Sequence, residues 1–467
     1  MTNDNARPPR GRLSAAQGTA LYVGAVLGTG VITFPALAAE AAGPASLLAW
    51  LGLVVLSAPL AATFAALGAR YPDAGGVSTY ARLAFGERTA AVVGWCFYCA
   101  VPPGASAAAL FGGAYVSSAL GGGGTTTAVT AVGLMAVVTV SNAVGVHLTG
   151  RIQLALSALL VLLLLVAVGL SLPDARSENL QPFAPHGWTA IGGASVLLVW
   201  SFAGWEAITH LAAEFRDPKR DLPRAAGAAV VIVGVLYLAV AFAVVAVLGS
   251  SAADTDAPLG DLMARGLGGN ARLLAAGAAI LLTLGTMNAY YAGAAKLGAA
   301  LGRDGSLPAW LTRGSVAGET PRRSLGIVAG MAFAVLLVMI TTGAGVENLV
   351  LLANGSFVTV YAIGVAAAVR LLPRRSKGRA AAFAALIAVL ALLALSGRYL
   401  VWPLAVAGAA LLHLRLSERR RAKRARAEMD APAVSEVLDV RAAGPDPSAA
   451  AAPCPAGASA PGTPAAP

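Results

Sequence analysis

Between residues 14 and 415 the chain is a succession of twelve apolar stretches separated by short polar connections. Each stretch is close to the roughly 20 residues that a helix needs to cross a bilayer. They fall near 14–41, 46–69, 89–118, 126–146, 152–172, 189–213, 225–249, 271–301, 324–342, 346–369, 380–396 and 399–415. The last two are short enough to be read as two spans or as one re-entrant pair. No single soluble core could hide that much apolar surface. Only 12% of the 467 residues are charged, about half the usual share of a soluble domain, so the solvent of this chain is lipid. The expected class is an all-α polytopic membrane protein of about twelve helices. The first stretch is too long, and too interrupted by glycine and proline, for a cleaved signal peptide, and reads as a retained span.

Charge sets the orientation. Twelve spans put both termini on one side, and twenty-nine of the 33 basic residues fall on that side; the exceptions are Arg176, Arg265, Arg272 and Arg398. The positive-inside bias places both termini in the cytoplasm. It also accounts for the net charge of +11, so nucleic acid is not an expected partner. The expected organisation is a cytoplasmic tail over 1–13, a transmembrane domain over 14–415 and a cytoplasmic tail over 416–467. In that last tail the run Glu418 to Glu428 carries Arg419, Arg420, Arg421, Lys423, Arg424 and Arg426, a topological anchor suited to anionic headgroups. From Ala431 onward the sequence is rich in alanine and proline and reads as disordered. Cys96 and Cys99 lie inside an apolar stretch, where small apolar packing residues are a simpler account than a redox pair.

Two stretches are weakened at their middle: the first by Gly28-Thr29-Gly30 with Pro35 beyond, the sixth within Ser201-Phe202-Ala203-Gly204-Trp205-Glu206. Each opens a five-span half, and interruptions at matching positions of two halves point to a transporter site. Glycine costs a helix about 1 kcal/mol relative to alanine. Unwinding in lipid strands backbone groups at several kcal/mol each, so it survives only beside a cavity or a ligand. A helix restarting near Val31 offers free N–H groups that suit a carboxylate. The carbonyls ending the preceding half suit an ammonium group. Close helix packing through glycine is the competing account.

The stretch Gly28-Thr29-Gly30-Val31-Ile32 with Pro35 resembles the first-helix motif of the amino acid–polyamine–organocation (APC) permeases. Tyr71-Pro72-Asp73-Ala74-Gly75-Gly76-Val77, with Tyr80 and Phe85-Gly86, is similar to their loop between helices two and three. Glu206 through Arg224, including Glu214-Phe215-Arg216-Asp217-Pro218-Lys219-Arg220, resembles the sixth-helix signature, and Arg303-Asp304-Gly305 with Leu307-Pro308 the loop after helix eight. The resemblance implies a five-plus-five inverted-repeat (LeuT-like) core with helices 1 and 6 broken, followed by two extra spans, in a bacterial inner membrane. Within the superfamily, His210-Leu211-Ala212 with Glu214-Phe215, and Ala353-Asn354-Gly355 with Tyr361, look most like bacterial exporters of methionine and branched-chain amino acids.

Residues 28–31 (Gly28, Thr29, Gly30, Val31) and Phe202, Ala203, Gly204 and Trp205 are the candidate substrate-binding residues. Glu206 is an ionisable group at membrane depth, costly there and functional by default. In the family resemblance it falls on the permeases' gate-associated glutamate. His210 is one helical turn on and can share its face. Asn288, Tyr290, Tyr291 and Asn354 are polar groups at membrane depth, whose default is hydrogen bonding between helices. Some proton-coupled relatives carry a lysine in the fifth helix, but residues 154–168 hold no charge. That leaves Glu206, His210 or plain exchange as the coupling.

The expected activity is alternating-access transport of small neutral apolar amino acids, in the export direction, with no cofactor or metal. Cationic amino acids or polyamines are the alternative, in which Glu206 would pair with the substrate. An enzyme would need a catalytic or metal-binding constellation, and His147, His186, His210 and His413 are scattered. A channel or sensor would not require paired broken helices.

Overall fold

Lipid offers the backbone no hydrogen-bond partners, and the spans are accordingly helical. The computed structural model describes residues 13–72, 76–145, 150–206, 209, 212, 215–269, 271–313 and 320–430. The first span is two helices, α1 (Ala15–Leu27) and α2 (Gly30–Ala42). It is followed by α3 (Ser46–Arg70), a short α4 (Val77–Phe85), α5 (Glu87–Leu120), α6 (Gly124–Val144) and α7 (Gly150–Ser171). The second half repeats this order. The sixth span opens with α8 (Ala190–Leu198), prolonged by a 3-10 turn over Val199–Phe202. Then come α9 (Pro218–Ala243), a short α10 (Pro258–Leu267), α11 (Ala271–Arg303), α12 (Arg322–Thr342) and α13 (Val346–Leu371). The extra spans are α14 (Lys377–Ser396) and α15 (Val401–Asp430).

Each half thus reads broken span, span, short helix and three further spans. Five is an odd number, so the second half enters the membrane from the face opposite to the first, and the repeat is inverted. The short helices α4 and α10 mark corresponding points on opposite faces. Both lie in stretches that the sequence presents as plain connections, because nine or ten residues are too few for a span. The last two spans are separate helices: α14 has 20 residues, and α15 is apolar over its first half, from Val401, and basic beyond Leu416. By compactness the chain divides into Met1–Leu414 and Arg415–Pro467; the described part of the second unit, residues 415–430, is helical.

Helix α9 begins seven residues before the apolar stretch does. Pro218 stands in its first turn, where the missing N–H costs nothing, and the Asp221 carboxylate accepts the Asp217 N–H at 3.3 Å. Most of the charged segment Glu214–Arg224, from Pro218 onward, is therefore helix rather than loop. At its far end α9 relaxes into a π-helical turn, Val244–Leu248. The Ala246 carbonyl there takes the Arg176 N–H at 2.9 Å and the Asn179 amide at 2.8 Å. The Val247 carbonyl takes the Arg265 guanidinium at 3.0 Å. Arg272 pairs with Asp261 at 2.8 Å, and Arg398 donates to the Tyr399 hydroxyl at 3.0 Å. Three of the four basic residues that break the charge alternation, Arg265, Arg272 and Arg398, thus have partners for their side chains.

Helix α5 runs through the middle of the fold, buried over much of its length by small residues, and packs on α11, α6, α13 and α12. Such faces let helices approach where lipid gives them no hydrophobic drive to do so. At Gly113 the approach is closest: a Cβ would overlap the Thr127 carbonyl of α6. Gly113→Val should lower the melting temperature in detergent by several degrees, since overpacking costs ~1–3 kcal/mol. Gly133→Ala, with no heavy atom within 4 Å of the added methyl, should not lower it. Differential scanning fluorimetry of both variants checks this.

Candidate functional site

The two breaks meet. Helix α1 stops at Leu27, and Gly28 takes φ 36° and ψ −146°, a region that favours glycine. The helix restarts at Gly30, with Thr29 at the capping position making no side-chain cap bond. A Cβ on Gly30 would lie 2.8 Å from the Ser201 Cα. In the sixth span Ala203 is extended and Gly204 has φ 125°, with the Ala25 carbonyl oxygen 3.0 Å from where its Cβ would be. Glycine at 30 and 204 is what lets one interrupted backbone cross the other.

A residue from the seventh span secures the crossing. The Tyr237 hydroxyl lies 2.8 Å from the Val26 carbonyl, 3.3 Å from that of Leu27 and 2.6 Å from that of Ser201. These carbonyls end both interrupted segments, where the helix dipoles leave partial negative charge. The hydroxyl has one proton and satisfies one of them at a time, so acceptor capacity remains. Trp50 and Phe202 hold the Tyr237 ring at 4.8 and 5.1 Å. Tyr237 is the principal site residue absent from the sequence reading: a lone tyrosine among valine, leucine and alanine carries no local signal of its partners.

Glu206 caps its own break. Its carboxylate Oε2 accepts the Tyr361 O–H at 2.6 Å and the Gly204 N–H at 3.0 Å, and the residue is 1% exposed. The sixth span is thereby tied to α13. His210 lies outside the described residues.

Beside the breaks is a small cavity. Its floor is the α5 face from Ala100 to Ala108, and its walls are Trp200, Thr286, Met287, Tyr290 and Phe357. No charged residue lines it. The Trp200 indole N–H donates to the Thr29 hydroxyl at 3.4 Å, and the Thr286 hydroxyl lies 3.3 Å from where a Gly28 Cβ would be. Trp200 stacks on Phe34 at 6.4 Å and meets Phe357 edge-on at 6.2 Å.

Of the residues singled out by sequence, Gly28 and Thr29 form the first break, Gly30 and Val31 open the helix beyond it, and Ala203 and Gly204 lie in the second break. Ala203 also joins the Ala100–Ala353–Phe357 cluster at the cavity's edge. Phe202 turns towards Trp50 and Tyr237. Trp205 is fully buried, with its ring 5.7 Å from Tyr22. The aromatic walls of the cavity are instead Trp200, Tyr290 and Phe357. Asn288 accepts a bond from Asn142 of α6 at 2.7 Å, and Asn354 donates to the Val196 and Leu197 carbonyls at 2.8 and 3.0 Å. Tyr291 is buried among residues of α5, α6 and α12.

A double-mutant cycle on Glu206→Gln and Tyr361→Phe, read by thermal unfolding in detergent, should give a coupling energy of about 1–3 kcal/mol, the range for a buried bond to a charged group. Additive effects would dissolve the proposed tie between the sixth span and α13.

A family model described as amino acid permease matches residues 13–425. An uncharacterized amino acid permease of Bacillus subtilis, YecA, is 33% identical over 402 residues, covering 85% of this chain and 94% of its own. The L-methionine/branched-chain amino acid exporter YjeH of Escherichia coli is 31% identical over 371 residues, covering 78% of this chain and 87% of its own. The solved structure of MhsT in complex with L-phenylalanine superposes with a TM-score of 0.62 over 83% of this chain and 100% of that one, at 16% identity. That likeness is one of fold. The chain belongs to the amino acid permeases of the APC superfamily: it is a multi-pass membrane transporter of amino acids and not an enzyme.

Proposed function

We propose that this permease moves small neutral amino acids with apolar side chains (methionine, leucine, isoleucine and valine) by alternating access about the two breaks, and that its direction is export. The observation that carries this reading is the uncharged cavity beside the breaks. The first N–H groups of α2 suit the substrate α-carboxylate. The carbonyls around Tyr237 suit the α-ammonium. The cavity has a volume of only ≈ 10 Å³, about one water, so an apolar side chain enters between α5, Trp200 and Phe357 once these walls part. A lysine or arginine side chain would enter there only with its charge unpaired. Glu206 is engaged by Tyr361 and Gly204 outside the cavity lining, which weighs against the cationic alternative. The likeness to an exporter supports both the substrate class and the direction. Both termini are assigned to the cytoplasm on charge alternation, and Glu206 is the candidate proton carrier.

Purified protein in liposomes loaded with labelled leucine or methionine should show saturable efflux driven by a pH gradient and lost in Glu206→Gln. Efflux that needs an opposing amino acid and ignores pH would make it an exchanger. Movement of arginine or putrescine with neither leucine nor methionine would hand the case to cationic substrates. Gly104 faces Trp200 so closely that a Cβ would sit 2.7 Å from its ring. Gly104→Ala should therefore raise the KM for leucine about tenfold, the lower end of what one methylene decides in a pocket, with a smaller effect on alanine.

A further inference from the structure

Leu13, two residues before α1, and Phe215, behind the second break, form a parallel main-chain bridge, and the Arg216 N–H donates to the Leu13 carbonyl at 3.0 Å. No other isolated β-bridge occurs among the described residues. The start of α1 is rigid at this point. The Ser14 N–H donates to the Gln17 side chain at 3.0 Å and the Gln17 N–H to the Ser14 hydroxyl at 3.4 Å, a reciprocal cap that joins residue 13 firmly to the helix. One turn further, Gly18 has no Cβ where the Phe215 ring lies, and an added one would overlap the ring. Phe215 is 2% exposed.

The position matters more than the contact itself. Gly28, where α1 ends, is the pivot open to this helix, and residue 13 is at the far end of that lever, roughly 20 Å away at 1.5 Å per residue. Between the breaks and the membrane face that carries the N-terminus, Tyr22, Leu27, Phe64, Tyr80 and Trp205 are all fully buried, so packed side chains fill the described part of that side of the site. The first and sixth spans are thus joined near the breaks, by Tyr237 and by the Trp200–Thr29 bond, and by main chain at their outer ends. We propose that the Leu13–Phe215 clasp is the release point of the gate on the N-terminal face: the bridge parts and the Phe215 ring leaves Gly18 before α1 can move and admit water to the cavity. This rests on the alternating-access reading above and adds to it the place where the gate is held.

The test starts from protein with Cys96, Cys99 and Cys454 replaced by serine. It carries Leu13→Cys and Phe215→Cys, which parallel pairing brings within disulfide reach, and Thr286→Cys as a reporter in the cavity. A membrane-impermeant methanethiosulfonate is added at the N-terminal face of oriented proteoliposomes, and modification of residue 286 is read by mass spectrometry. The oxidised pair should lower the labelling rate at least tenfold relative to the reduced pair. In the single-reporter background, Gly18→Ala should raise it about tenfold by dislodging the ring. Equal labelling of oxidised and reduced protein, a cysteine pair that will not oxidise in folded protein, or a Gly18→Ala variant labelled at the parent rate would each overturn the clasp. Labelling needs no substrate, so failure of the transport reading would show separately, as absence of amino acid flux in the protein without these substitutions.

Discussion

Everything in this structure answers to one requirement: a backbone interrupted in lipid must find hydrogen-bond partners inside the protein. Two spans are interrupted, and each is placed where the other can help. The carbonyls that end α1 and those that end the 3-10 turn at Phe202 point at a common hydroxyl, Tyr237. The Gly204 N–H, freed by the second break, is taken by Glu206. The remaining polar capacity of the crossing is what an amino acid's own charged ends can meet. In the proposed reading, stability and recognition draw on the same few main-chain groups.

The surrounding helices serve this centre by different means. Helix α5 supplies a face of alanine and glycine that brings α11 and α13 close enough to wall the cavity. Asn354 reaches from α13 to the Val196 and Leu197 carbonyls near the end of α8, so the approach to the second break is braced by a side chain rather than left to packing. Tyr115 of α5 donates to the Ile32 carbonyl of α2 and accepts the Leu259 N–H of α10. That hydroxyl ties the half-helix beyond the first break to the short helix of the second repeat.

How much of this was legible in the sequence depended on whether a feature has a local cause. Gly28 and Gly204 were legible because a helix breaker in an apolar stretch is conspicuous wherever it falls. The twelve spans were legible because bilayer thickness fixes a length. Asn288 and Asn354 met the default for buried amides, bonding between helices. The cavity's aromatic walls were not legible in the same way. Phe202 and Trp205 stand beside the break in sequence, but within one turn of backbone the chain rotates, and it is Trp200 that faces the cavity. Phe357 and Tyr237 come from spans distant in sequence, and only tertiary packing brings them there. Helices α4 and α10 are amphipathic, but with nine and ten residues they fall below the length of a span, so a reading by apolar stretches passes over them. The early start of α9 was hidden by charge, since a solvated first turn looks like a connection.

The composition of the crossing also bears on how such a protein can change over generations. The groups proposed to hold the common part of an amino acid are amides and carbonyls, which no point substitution other than one to proline deletes, whereas the walls around the variable part are ordinary side chains on three separate helices. Mutation can therefore retune the walls one position at a time without touching the grip. A lineage built this way can drift from one amino acid to another while remaining throughout a carrier of amino acids.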